Sequence, residues 1–174
     1  METEIEKILT CTYKDGMISH VSENPECFRE LIELTIADKQ PYSWRAAWLV
    51  WSCMEKNDKR IRKYIKDMIN VLPERNDSQQ RELLKILEQM EIKEEHEGLL
   101  FDHCVTVWKR IDKRPSVRFN ALKILIKITH RYPELAKEII LLTKNQYLAS
   151  LSPCVNKSVN KMIKDLNKCI PSDN

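Results

Sequence analysis

The chain of 174 residues is 43% hydrophobic and 32% charged, which suits one folded domain with a sizeable core and excludes a disordered polymer. Its two glycines, Gly16 and Gly98, are too few for phosphate-cradling loops or dinucleotide fingerprints, which need close backbone approach, and no Asn-Gly hairpin turn occurs. A net charge of +3 is too weak to point to a polyanion partner by itself.

Helical periodicity recurs along the whole chain. Ile5, Ile8 and Leu9 mark a first short helix, and Met17, Ile18 and Val21 add another turn or two. Asn24-Pro25-Glu26 reads as a helix start, with a capping side chain, a proline at the first helical position and an acid near the positive dipole end. Phe28, Leu31, Ile32, Thr35 and Ile36 supply its stripe at i, i+3, i+4, i+7 and i+8. Pro41 opens the next helix, in which Arg45 is the one internal charge. A helix apolar on nearly all sides is expected to be buried on nearly all sides.

Its successor is one-sided. Ile61, Tyr64, Ile65, Met68, Ile69 and Leu72 form one stripe, while Lys59, Arg60, Arg62, Lys63 and Lys66 cover the other face. A third helix pair starts at Ser78, lined by Leu83, Leu84, Ile86 and Leu87. Its partner helix carries Leu99, Leu100, His103, Cys104, Val107, Trp108 and Ile111 as one wide stripe. Pro115 opens a helix apolar on most sides, Pro133-Glu134 another, and Ser152-Pro153 a last one. The latter ends in the polar tail 171–174.

No apolar run approaches the length needed to span a bilayer, and the acidic start METEIEKIL lacks the apolar stretch of an export signal. The six cysteines show no CxxC pair and no ligand-like Cys/His spacing. Buried free thiols and a cytoplasmic location are the expectation, with no membrane partner.

The segments beginning at Ser43, Ser78 and Ser116 repeat one another weakly. LLKIL in the second aligns with ALKIL in the third, at spacings of 35 and 38 residues, close to the period of two-helix repeats. Such pairs cannot bury their own apolar faces, so neighbours must stack. The run Val117-Arg118-Phe119-Asn120-Ala121 resembles the V-R-x-x-A motif of HEAT repeats, and Trp44-Arg45-Ala46-Ala47 is a looser version. In that family the arginine orients the neighbouring turn and the alanine permits close helix contact. Residues 41–170 also resemble small HEAT-like proteins of Bacteroides-type bacteria in three stretches, Ser43 to Trp51, Tyr132 to Leu135 and Ser152 to Ser158. The resemblance implies a fold and no particular activity. The expected architecture is all-α: a right-handed α-α superhelix, a HEAT/ARM-like solenoid of antiparallel helix pairs. One domain spans 1–174, with less regular helices over 1–40 and repeat-like pairs over 41–170.

Several residue groups invite functional readings. Trp44, Trp48 and Trp51 lie at i, i+4 and i+7 on one face, where a row of aromatics can stack bases or grip a peptide. With apolar neighbours all round they are assigned to the core, Trp44 being the one placed to reach the surface. Trp108 and Asp112 share the i, i+4 spacing found in HEAT-like alkylpurine DNA glycosylases. The surrounding VWKRID does not match those enzymes, and no arginine follows Arg131. Trp108 is therefore read as a core anchor. His96, Asp102, His103 and Cys104 lack metal-ligand spacing, so His103 is read as a hydrogen-bonded core histidine.

The uneven charge remains. Between Cys104 and Arg131 stand eight bases against one acid, and between Glu74 and Asp102 nine acids against four bases. Lys157, Lys161, Lys164 and Lys168 form a further stripe. The candidate binding surface is Lys59, Arg60, Lys63, Lys109, Arg110, Lys113, Arg114, Arg118, Lys123, Lys127 and Arg131. The expected function is a non-enzymatic scaffold for protein–protein interaction, without cofactor or metal. The alternative is nucleic-acid binding through the basic helical faces. A third reading, a relative of the DNA glycosylases, rests on Trp108 and Asp112 alone and requires an exposed Trp108.

Overall fold

The computed structural model describes residues 2–168, and all their regular structure is helical. Eleven α-helices follow in chain order: α1 (Glu4–Cys11), α2 (Lys14–Glu23), α3 (Phe28–Ile36), α4 (Tyr42–Cys53), α5 (Ile65–Val71), α6 (Asp77–Gln89), α7 (Glu94–Lys109), α8 (Pro115–Arg131), α9 (Ala136–Leu141), α10 (Asn145–Leu148) and α11 (Pro153–Lys168). The described chain divides into two compact units, one ending at Ile92 and one beginning at Lys93. The tail 171–174, Cys169 and the side chain of Lys168 lie outside the described residues.

In the first unit α1, α2, α3 and α6 all pack on α4, so the N-terminal helices belong to the same core as the repeat-like ones. Ala46 and Ala47 are fully buried, and their small side chains let α3 and α6 approach α4 closely. Leu31, Ile32, Leu83 and Leu84 fill the space around them, each side chain stabilising by about 1.5–3 kcal/mol on burial. Thr3 caps α1 in a reciprocal box with Glu6, its hydroxyl accepting from the Glu6 amide and the Glu6 carboxylate from the Thr3 amide. Lys39 donates to the same carboxylate. The expected cap at Asn24 is not made. Its amide donates backwards to the His20 carbonyl (2.9 Å), and Pro25–Cys27 forms a single 3₁₀ turn before α3.

Helix ends leave carbonyls without partners, and α3 is closed by side chains from a distant segment. Gln79 Nε2 donates to the Thr35 and Ala37 carbonyls (2.9 and 2.7 Å), and Arg75 Nη2 to that of Ile36 (2.9 Å). The neighbouring Gln80 Nε2 closes the Leu72 carbonyl after α5 (2.8 Å). Asn76 caps α6 itself through the Gln79 amide (3.0 Å).

The second unit is built on α8 against α7, with α9 and α11 on α8. Leu100, Cys104 and Trp108 from α7 meet Val117, Ala121 and Leu125 from α8 in its core. Leu99 and Ile111, expected on the same buried stripe, are 44% and 57% exposed. Leu99 falls at the margin of an arc narrower than the sequence suggested, and Ile111 lies in the turn beyond the end of α7. Trp108 is fully buried, its indole Nε1 donating to the Leu142 carbonyl (2.7 Å).

Arg118 is fully buried beside it. Its guanidinium lies 4.8 Å from the Trp108 ring centroid. Nε donates to the Trp108 carbonyl (3.0 Å), Nη2 to that of Tyr147 (2.6 Å) and Nη1 to the Ser150 hydroxyl (2.5 Å). Burial lowers its pKa below the ordinary guanidinium value. The fork thus ties the end of α7 to α10 and the turn after it, and pins the second unit together. Arg118→Ala leaves these acceptors unpaired and a cavity behind, so it is expected to destabilise the protein by about 3 kcal/mol. Arg118→Lys recovers less than half of that, because an ammonium cannot reach three acceptors in a planar fork. Urea unfolding checks both, and a loss below about 1 kcal/mol for the alanine variant contradicts the role.

Candidate basic groove

In the first unit, the turn before α3 and the segment leading into α5 face each other across a groove of about 460 Å³. Of the residues expected to form a binding surface, Lys59, Arg60 and Lys63 all line it, joined by Arg29 and Arg62. Pro25, Phe28, Ile32 and Tyr64 supply its apolar part, and Glu26 is the one acid in its lining. Five cations thus converge on one small concavity.

The segment carrying four of these cations is held by its own hydrogen bonds. Asn57 adopts a left-handed backbone (φ 53°), which asparagine tolerates better than most residues. Its amide donates to the Gln89 carbonyl (3.0 Å), and its side-chain oxygen accepts from the Glu91 amide (3.3 Å), anchoring the loop to the end of α6. Asp58 then gathers the next turn. Its carboxylate accepts from the Arg60 amide (2.9 Å), from Arg60 Nε and Nη2 (3.0 and 2.6 Å) and from the Glu55 amide (3.2 Å). The bonded Arg60 guanidinium lowers the Asp58 pKa from 3.8 to about 2 against the opposing effect of burial. Held this way, the Arg60 guanidinium lies over Phe28, 3.6 Å from its ring centroid. On the other wall Arg29 Nε donates to Glu33 (2.9 Å), the main cause of its raised pKa.

The second unit treats its expected cations differently. Lys109 is exposed at the end of α7, and Arg110 pairs with Asp112 (2.6 Å). Lys113 and Arg114 follow in the turn before α8, Lys123 and Lys127 are half-buried along it, and Arg131 pairs with Glu97 of α7. Arg118 does not belong to a binding surface at all. It faces inward because its donors serve carbonyls of the core, a role the charge count along the sequence could not separate from an exposed cation. Lys157, Lys161 and Lys164 are exposed on α11 and line a hollow of about 680 Å³ with Asn156 and Asn160.

The tryptophan row departs from expectation. Trp44 and Trp48 are half-buried and Trp51 is 38% exposed, although the helix is apolar nearly all round. Each ring is instead covered by a cation: Arg45 over Trp44 (5.3 Å), Lys14 of α2 over Trp48 (5.7 Å) and Lys85 of α6 over Trp51 (3.4 Å). In each case the charged group itself lies over the ring face, where the ring's negative quadrupole attracts it.

Trp108, being fully buried, offers no ring face to a damaged base, and this removes the observation on which the glycosylase reading rested. His103 is half-buried rather than in the core, and burial lowers its pKa below the ordinary imidazole value. Of the described cysteines only Cys104 is buried, its thiol pushed far up by desolvation; Cys27 and Cys53 are half-buried, and Cys11 and Cys154 exposed. Among the described residues no three His, Cys, Asp or Glu side chains are grouped to hold a metal ion. No helix among them is long and apolar enough to cross a membrane.

A helical chain of this construction matches one family model, that of the HEAT repeat domain, over residues 1–166. The match covers nearly the whole chain, which therefore belongs to the HEAT repeat domain family. No curated protein and no solved structure matches it.

The Asp58 clamp carries a pH signature. A carboxyl whose folded pKa lies below its unfolded value stabilises the fold fully above about pH 5, and that contribution is lost as pH falls through 3.8 towards 2. Asp58→Asn is expected to cost about 1–2 kcal/mol at pH 7. The gap to the wild type narrows across that acid window. Unfolding curves from pH 7 down to pH 2 measure it, and a gap that stays constant with pH refutes the assignment.

Proposed function

We propose that this protein is a non-enzymatic HEAT-repeat scaffold that works in the cytoplasm and holds another protein. The observation that carries the reading is the convergence of Lys59, Arg60 and Lys63 with Arg29 and Arg62 around one groove on a braced loop. Family membership supports it, since helical repeats offer extended surfaces that bind without special chemistry. The most perturbed titratable groups support it as well. Asp58 and Cys104 have their pKa values moved by an internal ion pair and by burial, in contacts that build the fold. In this reading the helices pair antiparallel and coil right-handed. The bonds from Arg131 and Tyr132 at the end of α8 to Glu97 in the first turn of α7 support the antiparallel part.

A second reading, nucleic-acid binding, is favoured by the exposed lysine row of α11. Duplex binding whose affinity falls steeply with salt would speak for it.

The test is recovery of the tagged full chain from its own cells, as wild type and as Lys59→Glu/Lys63→Glu. One protein is expected to accompany the wild type in stoichiometric amount and to be lost from the variant, with unfolding midpoints unchanged. A wild-type chain recovered without any protein, and with nuclease-sensitive nucleic acid instead, refutes the scaffold reading in favour of the second.

A further inference from the structure

The groove of the first unit carries information about what it holds, because its cations are not equivalent. Arg60 is committed to Asp58, Arg29 to Glu33, and Arg62 Nη2 to the Asn57 carbonyl (3.3 Å). Lys59 and Lys63, both exposed on the same rim, make no ion pair among the described residues, and the Lys63 ammonium lies 4.8 Å from the Tyr64 ring centroid. Each of these arginines thus already has a partner, whereas two ammonium groups remain available to an incoming anion. Their three donors rotate, so an ammonium can meet a carboxylate from several directions.

The remaining surface is not that of a nucleic-acid track. Neutralising a duplex requires cations spread along many phosphates, whereas these surround a concavity of about 460 Å³. That volume matches a short stretch of side chains. Its rim is partly apolar, with exposed Pro25 on one side and the half-buried Tyr64 ring on the other. The Arg60 guanidinium over Phe28 belongs to the same lining. Cations beside a small apolar depression complement carboxylates beside an apolar side chain.

We infer that this groove takes an acidic segment of a partner protein, in which carboxylates engage Lys59 and Lys63 and an apolar side chain between them packs against Pro25 and Tyr64. The inference rests on the scaffold reading above and supplies its partner's chemistry. The exchange of a hydrated carboxylate for a lysine contact at an exposed rim contributes modestly, so the apolar anchor is required for measurable affinity. Binding weakens with salt, but by less than a polyanion would show.

The experiment is fluorescence anisotropy on the full chain with a labelled peptide of about ten residues, glutamates flanking two leucines. Its glutamine counterpart, a short DNA duplex and inorganic phosphate serve as competitors. The variants are Lys59→Gln/Lys63→Gln and, as a control of equal charge change, Lys157→Gln/Lys161→Gln. The acidic peptide is expected to bind the wild type at least tenfold more tightly than the glutamine peptide. It is expected to lose at least tenfold in the groove variant and less than twofold in the control. An equal loss in both variants overturns the inference, because it reports unspecific charge attraction. Displacement by the duplex or by phosphate at lower concentration than by unlabelled peptide overturns it too. A wild-type chain that ignores the peptide yet still carries its co-purifying protein overturns the inference alone. A chain that does neither overturns the scaffold reading with it.

Discussion

The carbonyl groups at the end of α3 have no partners within their own helix, and the first unit depends on Gln79 and Arg75 to supply them. An unpaired carbonyl in the interior costs about 1–3 kcal/mol, so three left open would offset much of the stability of a small unit. The same constraint reappears after Lys93 with a different residue. There Arg118 serves carbonyls on both sides of it, and the Trp108 indole serves a third. In both units apolar packing brings helices together without choosing among nearby arrangements. The long polar side chains reaching across helix ends are what select one of them.

That division explains what the groove is made of. A cation can face a partner only when the fold does not already need it. The segment 57–63 separates the two demands within a single turn, with Asp58 and Arg60 bracing the loop and Lys59 and Lys63 standing clear of it. The second unit spends its arginines inwardly or on local acids: Arg118 on the core, Arg131 on Glu97 and Arg110 on Asp112. A segment with eight bases and one acid therefore presents less uncommitted charge than its composition implies.

Much of the fold was legible in the residues. Apolar spacing and the prolines at 25, 41, 115, 133 and 153 marked five helix or turn starts to within a residue or two, because a fixed φ and a missing amide act locally. Of the candidate groove, only the cluster around Lys59 was visible. Arg29 and Phe28 come from another part of the chain, and no local pattern joins them to it. The tryptophans of α4 were misplaced because periodicity registers an apolar ring without recording that a lysine from α2 or α6 can cover it. Arg118 was seen twice, as the arginine of a HEAT-like motif and as a surface charge. Only the first survives, since burial depends on what the distant turn at 147–150 offers.

The distribution of indoles gives the protein a built-in optical report. Three of the four tryptophans sit in the first unit, half-shielded by ammonium and guanidinium groups, while Trp108 alone serves the second from a dry site. A ring shut off from water emits at shorter wavelength than one that touches it. The blue edge of the emission spectrum therefore follows the second unit and the red edge the first. Loss of cooperativity between them becomes visible in unlabelled material, in a single titration.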